Sequence, residues 1–217
     1  MTAANSSTVS TMNGTNNTAE NTCFTTTDNS LAAVFPVVRS SMAVSRLLLV
    51  PGRGVPTPEH WLRRWADAHP SYRWAPEPPG PPLILKDRVA ALHRVISEDD
   101  EPAVLIAHSA GCITTLVWAA RHTGPVRAAL LVTPPFIDGF EPADPSDIPW
   151  LVPRAKLPFP AIVVASRTDP YTTFEQFEQF ADDWGAELFD AGDVGHLDTA
   201  TGFGPWPDGE RLLTERF

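Results

Sequence analysis

Short apolar runs recur along the chain, and between them lie segments in which apolar residues have helical spacing. The runs contain few polar residues, which is typical of strands that are buried on both faces of a sheet. They predict five strands, at residues 46–50, 102–107, 126–132, 161–165 and 187–189.

The segments between these runs predict helices. Thr57-Pro58 is expected to supply an N-cap and a proline at the first helical position, ahead of a face that carries two tryptophans. Thr172-x-x-Glu175 has the spacing of a capping box and predicts the start of a later helix. The other expected helices cover residues 88–98, the segment from 110 to about 122, and residues 209–216.

Alternation of strands and helices predicts an α/β fold with a mostly parallel central sheet and helices on both faces. In such a sheet, functional side chains gather at the carboxyl ends of the strands. Two proline-rich segments, 71–86 and 134–159, have no clear periodicity. We leave the first unassigned and expect the second to be a long excursion between strands.

The first 42 residues differ in composition from the rest of the chain. They are rich in Ser, Thr and Asn, so they bury too little apolar surface to offset the entropy of ordering. We expect residues 1–42 to be a disordered segment and residues 43–217 to form a single domain. Met42 stands just before the first predicted strand, so translation starting there is one hypothesis.

Charge and cysteine content narrow the function classes. The 217 residues carry a formal net charge of −10, which disfavours binding to nucleic acid and to anionic membranes. Cys23 and Cys112 do not indicate a disulfide framework, and we expect Cys112 to be a buried core residue. No residue spacing suggests a metal or cofactor site, and we expect a cytoplasmic protein.

One of the apolar runs ends at a serine. Ala107-His108-Ser109-Ala110-Gly111 leads from a predicted strand into a predicted helix. This is the setting of a nucleophile elbow, in which a sharp turn lifts the serine hydroxyl above the sheet edge. The usual pattern has glycine at the position of Ala107, and alanine adds only a methyl group there. Ser109 is therefore a candidate nucleophile.

A serine nucleophile needs a base, and the base needs a carboxylate to hold it in the right tautomer. In this architecture the carboxylate precedes the histidine along the chain. Asp169 follows the run at 161–165, and His196 is the sole histidine downstream of it. Both lie after predicted strands, so we expect them at the same sheet edge as Ser109.

An oxyanion that develops on a substrate requires hydrogen-bond donors, which are usually backbone N–H groups. The Ala110 N–H is the first candidate because it follows the nucleophile directly. The second is expected from the loop Pro51-Gly52-Arg53-Gly54 after the first strand. The Arg53 N–H is the preferred donor, with Gly54 as the alternative.

Several segments together resemble the small α/β-hydrolases related to retinoblastoma-binding protein nine, especially their bacterial members. The resemblance covers residues 46–217. It is carried by Val50-Pro51-Gly52-x-Gly54, His60-Trp61, Trp65, Ala107-His108-Ser109-x-Gly111-Cys112, Val163-Val164-Ala165-Ser166-x-x-Asp169-Pro170-Tyr171, Ala181-x-x-Trp184-Gly185, Gly195-His196 and Gly202-x-Gly204-x-Trp206-Pro207.

The resemblance implies a compact α/β-hydrolase fold, a triad of Ser109, Asp169 and His196, and serine-hydrolase activity on small esters or amides without a cofactor. The L-x-C-x-E retinoblastoma-binding motif is absent, so that partner is not implied. Lids of such enzymes often occupy the interval 134–159. We therefore expect Phe136, Phe140 and Trp150 to line a substrate pocket. His60, which follows the first loop, is a further candidate for the pocket, and a surface or structural role is the preferred alternative for it. A second hypothesis for the whole protein is a binding protein that kept the fold without catalysis.

Overall fold

The computed structural model describes residues 46–78, 84–137, 147–149 and 151–217. All of them belong to one unit that spans Ser41–Phe217. The predictions for residues 1–42, and those for Phe140 and Trp150, lie outside the described residues.

A six-stranded sheet forms the centre of the described unit. Its strands are β1 (Leu47–Val50), β2 (Arg73–Trp74), β3 (Ala103–His108), β4 (Val126–Val132), β5 (Ala161–Ala165) and β6 (Glu187–Asp190). Every pair of neighbours is parallel, in the order β2-β1-β3-β4-β5-β6. The chain adds β2 on one side of β1 and β3 on the other. The crevice between the loops after β1 and β3 is thus a topological switch point, where ligands bind in such sheets.

Helices cover both faces of this sheet. They are α1 (Trp61–Ala68), α2 (Leu85–Ile96), α3 (Ala110–Arg121), α4 (Phe174–Trp184) and α5 (Pro207–Arg216), with a short 3-10 turn at Thr199–Thr201. The predicted α/β class with a parallel sheet is confirmed. No helix in the described ranges is long and apolar enough to cross a membrane.

Alternate residues of the strands divide between two apolar layers. Leu48 and Val50 of β1 pack with α2, α3 and α4, whereas Leu47 and Leu49 pack with α1 and α5. The same alternation continues through β3, β4 and β5, because successive side chains of a strand point to opposite faces. This double burial explains why the strands read as continuous apolar runs in the sequence.

The helices predicted from residues 88 and 209 begin at Leu85 and Pro207, and two predicted N-caps were wrong, by three residues and by one. The N-cap of α1 is His60 rather than Thr57, and its ring Nδ1 accepts the Leu62 N–H at 3.1 Å. The capping box of α4 pairs Thr173 with Gln176, one residue beyond the predicted Thr172. Thr172 was a plausible cap by residue type alone, but its hydroxyl is used elsewhere.

Candidate active site

Ser109 stands in the sharp turn between β3 and α3. Its φ of 53° and ψ of −122° lie outside the regions that non-glycine residues favour. Its N–H donates to the Val132 carbonyl at 3.0 Å, and its own carbonyl accepts from the Cys112 N–H at 2.9 Å. These bonds hold the strained residue in place, as expected for backbone strain stored at a functional site.

The close approach of α3 to β1 explains Gly111. A Cβ atom at this position would lie 2.2 Å from the Val50 carbonyl oxygen and 2.9 Å from that of Pro51. No side chain fits there. Ala107, by contrast, is fully buried within the apolar core, so the methyl group that replaces the usual glycine has space.

The three predicted side chains form one chain of hydrogen bonds. His196 Nε2 lies 2.8 Å from Ser109 Oγ, and His196 Nδ1 lies 2.6 Å from Asp169 Oδ2. The side chains of His196 and Asp169 are almost completely shielded from solvent. Ser109, Asp169 and His196 follow β3, β5 and β6, and they meet at the carboxyl edge of the sheet.

The second carboxylate oxygen of Asp169 is also fixed. Oδ1 accepts the backbone N–H groups of Tyr171 at 2.8 Å and Thr172 at 3.0 Å. The Thr172 hydroxyl donates to the Pro134 carbonyl at 2.9 Å and accepts from the Phe136 N–H. The loop after β5 is thereby joined to the loop after β4, and the carboxylate is aimed at the imidazole.

The loop that carries His196 is anchored by side chains from distant parts of the chain. The His196 carbonyl accepts from His108 Nε2 at 3.0 Å and from the Thr133 hydroxyl at 3.2 Å. The Leu197 carbonyl accepts from Trp61 Nε1 at 2.8 Å. Sequence reasoning assigned no role to Thr133 or Leu197, yet both have positive φ values, of 44° and 49°. Nothing in the sequence marks them.

The loop after β1 closes the other side of Ser109. A Cβ atom on Gly52 would lie 3.1 Å from Ser109 Cβ and 3.2 Å from the His108 carbonyl oxygen, so the loop is in close contact with the turn. Arg88, which is buried, donates to the carbonyls of Pro51 and Gly52. Burial lowers the pKa of Arg88 to about 10, so it stays charged at neutral pH.

Arg53 and Ala110 lie on the wall of the same cavity as Ser109. Within the described residues, no backbone hydrogen bond to a loop or turn carbonyl uses the N–H of Arg53, Gly54 or Ala110. Gly54 is not part of the cavity wall. This placement favours Arg53 over Gly54 as the second oxyanion donor, and the role of both N–H groups remains a prediction.

A cavity of about 640 Å³ opens at Ser109. Its size is in the range of small-molecule sites. Apolar and polar side chains share its wall, which consists mainly of Val55, Pro56, Thr57, His60, Leu62, Pro135, Ile137, Tyr171, Asp198 and Thr199. The Tyr171 ring stands edge-on to the His196 ring, with their centroids 4.7 Å apart.

The predicted pocket residues have different outcomes. His60 lies on the cavity wall. Phe136 does not, because its ring packs against Phe180 at a centroid distance of 5.8 Å and Arg154 lies over it. Its neighbours Pro135 and Ile137 face the cavity instead.

Asp198 was not predicted to line the cavity. Hydrogen bonds from Thr201 lower its pKa although burial acts in the opposite direction, so the carboxylate is ionised.

Two neutral histidines accompany His196. Burial lowers the pKa of His60 to about 4 and that of His108 to about 3, and like charges on neighbouring histidines act in the same direction. The His108 ring lies 5.0 Å from His60 and 5.2 Å from His196 between centroids. Since His108 is neutral and donates through Nε2, it holds the His196 backbone without adding charge beside the imidazole.

These buried histidines predict that the fold loses stability in mild acid. In the unfolded chain they take up protons below about pH 6.5, whereas in the folded protein they stay neutral to about pH 4. The free energy of unfolding should therefore fall between pH 7 and pH 5, by roughly 2 kcal/mol for each histidine. Urea unfolding at both pH values measures this.

His60→Asn should remove about half of that pH dependence, because one of the two histidines is gone. The control is Ser71→Ala, which changes an exposed side chain that does not titrate in this pH range. It should leave the difference between pH 7 and pH 5 unchanged. Equal free energies of unfolding at both pH values in the wild type would contradict the neutral, buried state of His60 and His108.

Among the described residues, no group of three or more His, Cys, Asp or Glu side chains could hold a metal ion. Cys112 is fully buried below the turn, its thiol donates to the carbonyls of Ala107 and Val132, and burial raises its pKa. The prediction that Cys112 is a core residue is confirmed.

Comparison with known proteins agrees with this geometry. A family described as "Serine hydrolase" matches residues 47–215. A protein from Pectobacterium atrosepticum assigned as a YdeN-like hydrolase is 28% identical, with a TM-score of 0.66 over 77% of this chain and 88% of its own. No curated protein matches the chain at the significance required.

More distant structures share the fold alone. The ydeN gene product of B. subtilis is 20% identical, with a TM-score of 0.56 over 78% of this chain and 96% of its own. Est816, described as an N-acyl homoserine lactone degrading enzyme, is 15% identical, with a TM-score of 0.57 over 79% of this chain and 92% of its own. The match over residues 47–215 is decisive for the family: the chain belongs to the serine hydrolases of the α/β-hydrolase superfamily.

Proposed function

We propose that this protein hydrolyses small carboxylic esters or amides through an acyl-enzyme on Ser109. The observation that carries the proposal is the continuous hydrogen-bond chain from Ser109 Oγ through His196 to Asp169, with separations of 2.8 and 2.6 Å. A serine hydroxyl is a weak nucleophile by itself, and this arrangement is the one that activates it.

In the proposed reaction, Ser109 Oγ attacks the substrate carbonyl carbon while His196 Nε2 takes the hydroxyl proton. His196 then gives that proton to the leaving alcohol or amine, and the acyl group remains on Ser109. Water, deprotonated by His196, then attacks the acyl carbon, the bond between that carbon and Ser109 Oγ breaks, and His196 returns the proton to Oγ as the carboxylic acid leaves. Asp169 keeps the Nδ1 proton in place and stabilises the imidazolium that forms in each step.

The N–H groups of Ala110 and Arg53 would bind the oxyanion of the tetrahedral intermediate. Ala110 is the first residue of α3, so the positive end of the helix dipole also lies at this point. Arg88 supports the arrangement from behind, because its buried guanidinium holds the Pro51 and Gly52 carbonyls and thereby the loop that presents Arg53.

Labelling with a fluorophosphonate tests the proposal directly. The probe phosphonylates a serine that a neighbouring base has activated, so the wild-type protein should be labelled and the adduct should map to Ser109. Ser109→Ala should remain unlabelled, whereas Ser71→Ala, which changes an exposed serine, should label like the wild type. Absence of any adduct on the folded wild type would favour the alternative of a binding protein without catalysis.

A further inference from the structure

One of the two ring nitrogens of His60 has a hydrogen-bond partner in the fold. Its Nδ1 accepts the Leu62 N–H at 3.1 Å and so caps helix α1. The ring stands edge-on to His108 at 5.0 Å and is tilted against Trp61 at 5.5 Å between centroids. The residue is 6% exposed, and these contacts leave the ring little freedom to rotate.

This cap determines which nitrogen carries the proton. A neutral imidazole has one donor and one acceptor nitrogen, and Nδ1 must be the acceptor because it faces a backbone N–H. The proton is therefore on Nε2. Burial keeps the ring neutral at physiological pH, since the pKa of His60 lies at about 4. Asp198, the nearby carboxylate, counteracts this effect only in part.

The Nε2–H group has no acceptor in the described residues. Nε2 forms no hydrogen bond with a described residue. It is also not one of the buried polar atoms without a partner, so the protein does not enclose it. It therefore reaches open space, and His60 lines the cavity at Ser109. Ser, Thr, Asp or Asn would cap a helix as well as histidine does. What histidine adds at this position is a second nitrogen that is free to donate.

We propose that His60 determines substrate specificity by donating a hydrogen bond from Nε2 to an oxygen acceptor of the substrate. The inference rests on the proposed function. It implies that the cavity prefers esters or amides that carry an ether, hydroxyl or carbonyl oxygen near the scissile bond over plain alkyl analogues. A donor that the substrate leaves unpaired would lose its hydrogen bond to water, which penalises the alkyl analogue.

Two matched substrate pairs test this preference. The acyl pair is 4-nitrophenyl methoxyacetate and 4-nitrophenyl butyrate, in which an ether oxygen replaces a methylene group. The alcohol pair is 2-methoxyethyl acetate and butyl acetate. For each pair we take the ratio of kcat/KM, oxygen-containing over alkyl, in the wild type and in variants. Differences in intrinsic reactivity cancel when the ratios of two enzymes are compared.

His60→Asn is the test variant, because its carboxamide oxygen can still cap α1 while the shorter side chain withdraws the donor from the cavity. The ratio should fall about 3- to 10-fold for at least one pair, as expected for one hydrogen bond. His69→Asn, outside the cavity, should leave both ratios unchanged. Unchanged ratios for both pairs in His60→Asn would overturn the inference.

The tautomer provides a test that does not depend on turnover. Nitrogen-15 NMR of the labelled wild-type protein at pH 7 should show the His60 proton on Nε2, and a proton on Nδ1 would overturn the inference. The NMR result also separates the two proposals. If the proposed function fails, the wild type hydrolyses none of the four esters faster than Ser109→Ala does. The position of the His60 proton in the NMR spectrum does not depend on that outcome.

Discussion

Ser109→Ala and His196→Ala should each lower kcat on 4-nitrophenyl butyrate by about 10⁴- to 10⁶-fold. Loss of the serine removes the nucleophile, and loss of the imidazole removes the base that lies 2.8 Å from it. Asp169→Asn should cost about 10⁴-fold, because an amide facing Nδ1 favours the wrong tautomer of His196. Steady-state kinetics at equal concentrations of folded protein measures these effects.

The double variant gives a sharper result than any single one. If Ser109 and His196 act as one unit, Ser109→Ala/His196→Ala should be no slower than the slower single variant. Asp193→Asn, which changes an exposed carboxylate in the loop before His196, is the matched control for Asp169→Asn and should keep normal turnover. The assignment would be contradicted if the activation free-energy costs of the two substitutions added up in the double variant. It would also be contradicted if Ser109→Ala were as fast as the wild type.

Gly111→Ala should destabilise the fold by at least about 3 kcal/mol. The added Cβ would lie 2.2 Å from the Val50 carbonyl oxygen, and this neighbour is backbone of a central strand that cannot rotate away. To relieve the contact, α3 must move off β1. The same movement would displace Ser109, so turnover should fall together with stability.

Urea unfolding of Gly111→Ala and the wild type measures the change. Gly204→Ala is the matched control, since a Cβ at that glycine meets nothing within 4 Å and its φ is not in the left-handed region. It should stay within about 0.5 kcal/mol of the wild type. A Gly111→Ala variant as stable as Gly204→Ala would be incompatible with the contact between α3 and β1.

The strands and the three candidate catalytic residues could be predicted because their signals are local. A strand that is buried on both faces is apolar throughout, so β3, β4 and β5 stand out from the sequence. Ser109 follows β3, Asp169 follows β5 and His196 follows β6. The carboxyl ends of parallel strands lie at one edge of the sheet, so the three residues are brought to the same edge. The structure places these side chains within hydrogen-bond distance, while their catalytic role stays a prediction.

Other features depend on contacts that no local pattern shows. The edge strand β2 comprises only Arg73–Trp74 and lies in a proline-rich segment, so no periodicity marks it. The start of α4 shifted by one residue because Thr172 and Thr173 are equivalent by type. Tertiary contact alone distinguishes them, since Thr172 is bonded to Pro134 and Thr173 is left to cap the helix.

The cavity wall was the hardest part to predict. In the segment after β4, Pro135 and Ile137 face the cavity, whereas Phe136 between them packs against Phe180. The aromatic character of Phe136 suggested a substrate contact. Whether its side chain faces the cavity or the core depends, however, on the course of an irregular backbone segment. Thr133, Leu197 and the anchoring role of Trp61 were missed for a related reason, because each acts through a main-chain carbonyl or an unusual φ.

The bond from Trp61 to the Leu197 carbonyl connects the wall of the cavity to the loop that carries His196. The N-cap His60 and Leu62 of α1 line the cavity, and Trp61 of the same helix also holds the loop that carries His196. One helix therefore supports both the wall of the cavity and the position of the His196 imidazole. Under the proposed mechanism, a substitution at the beginning of α1 that alters the cavity would also disturb proton transfer by His196.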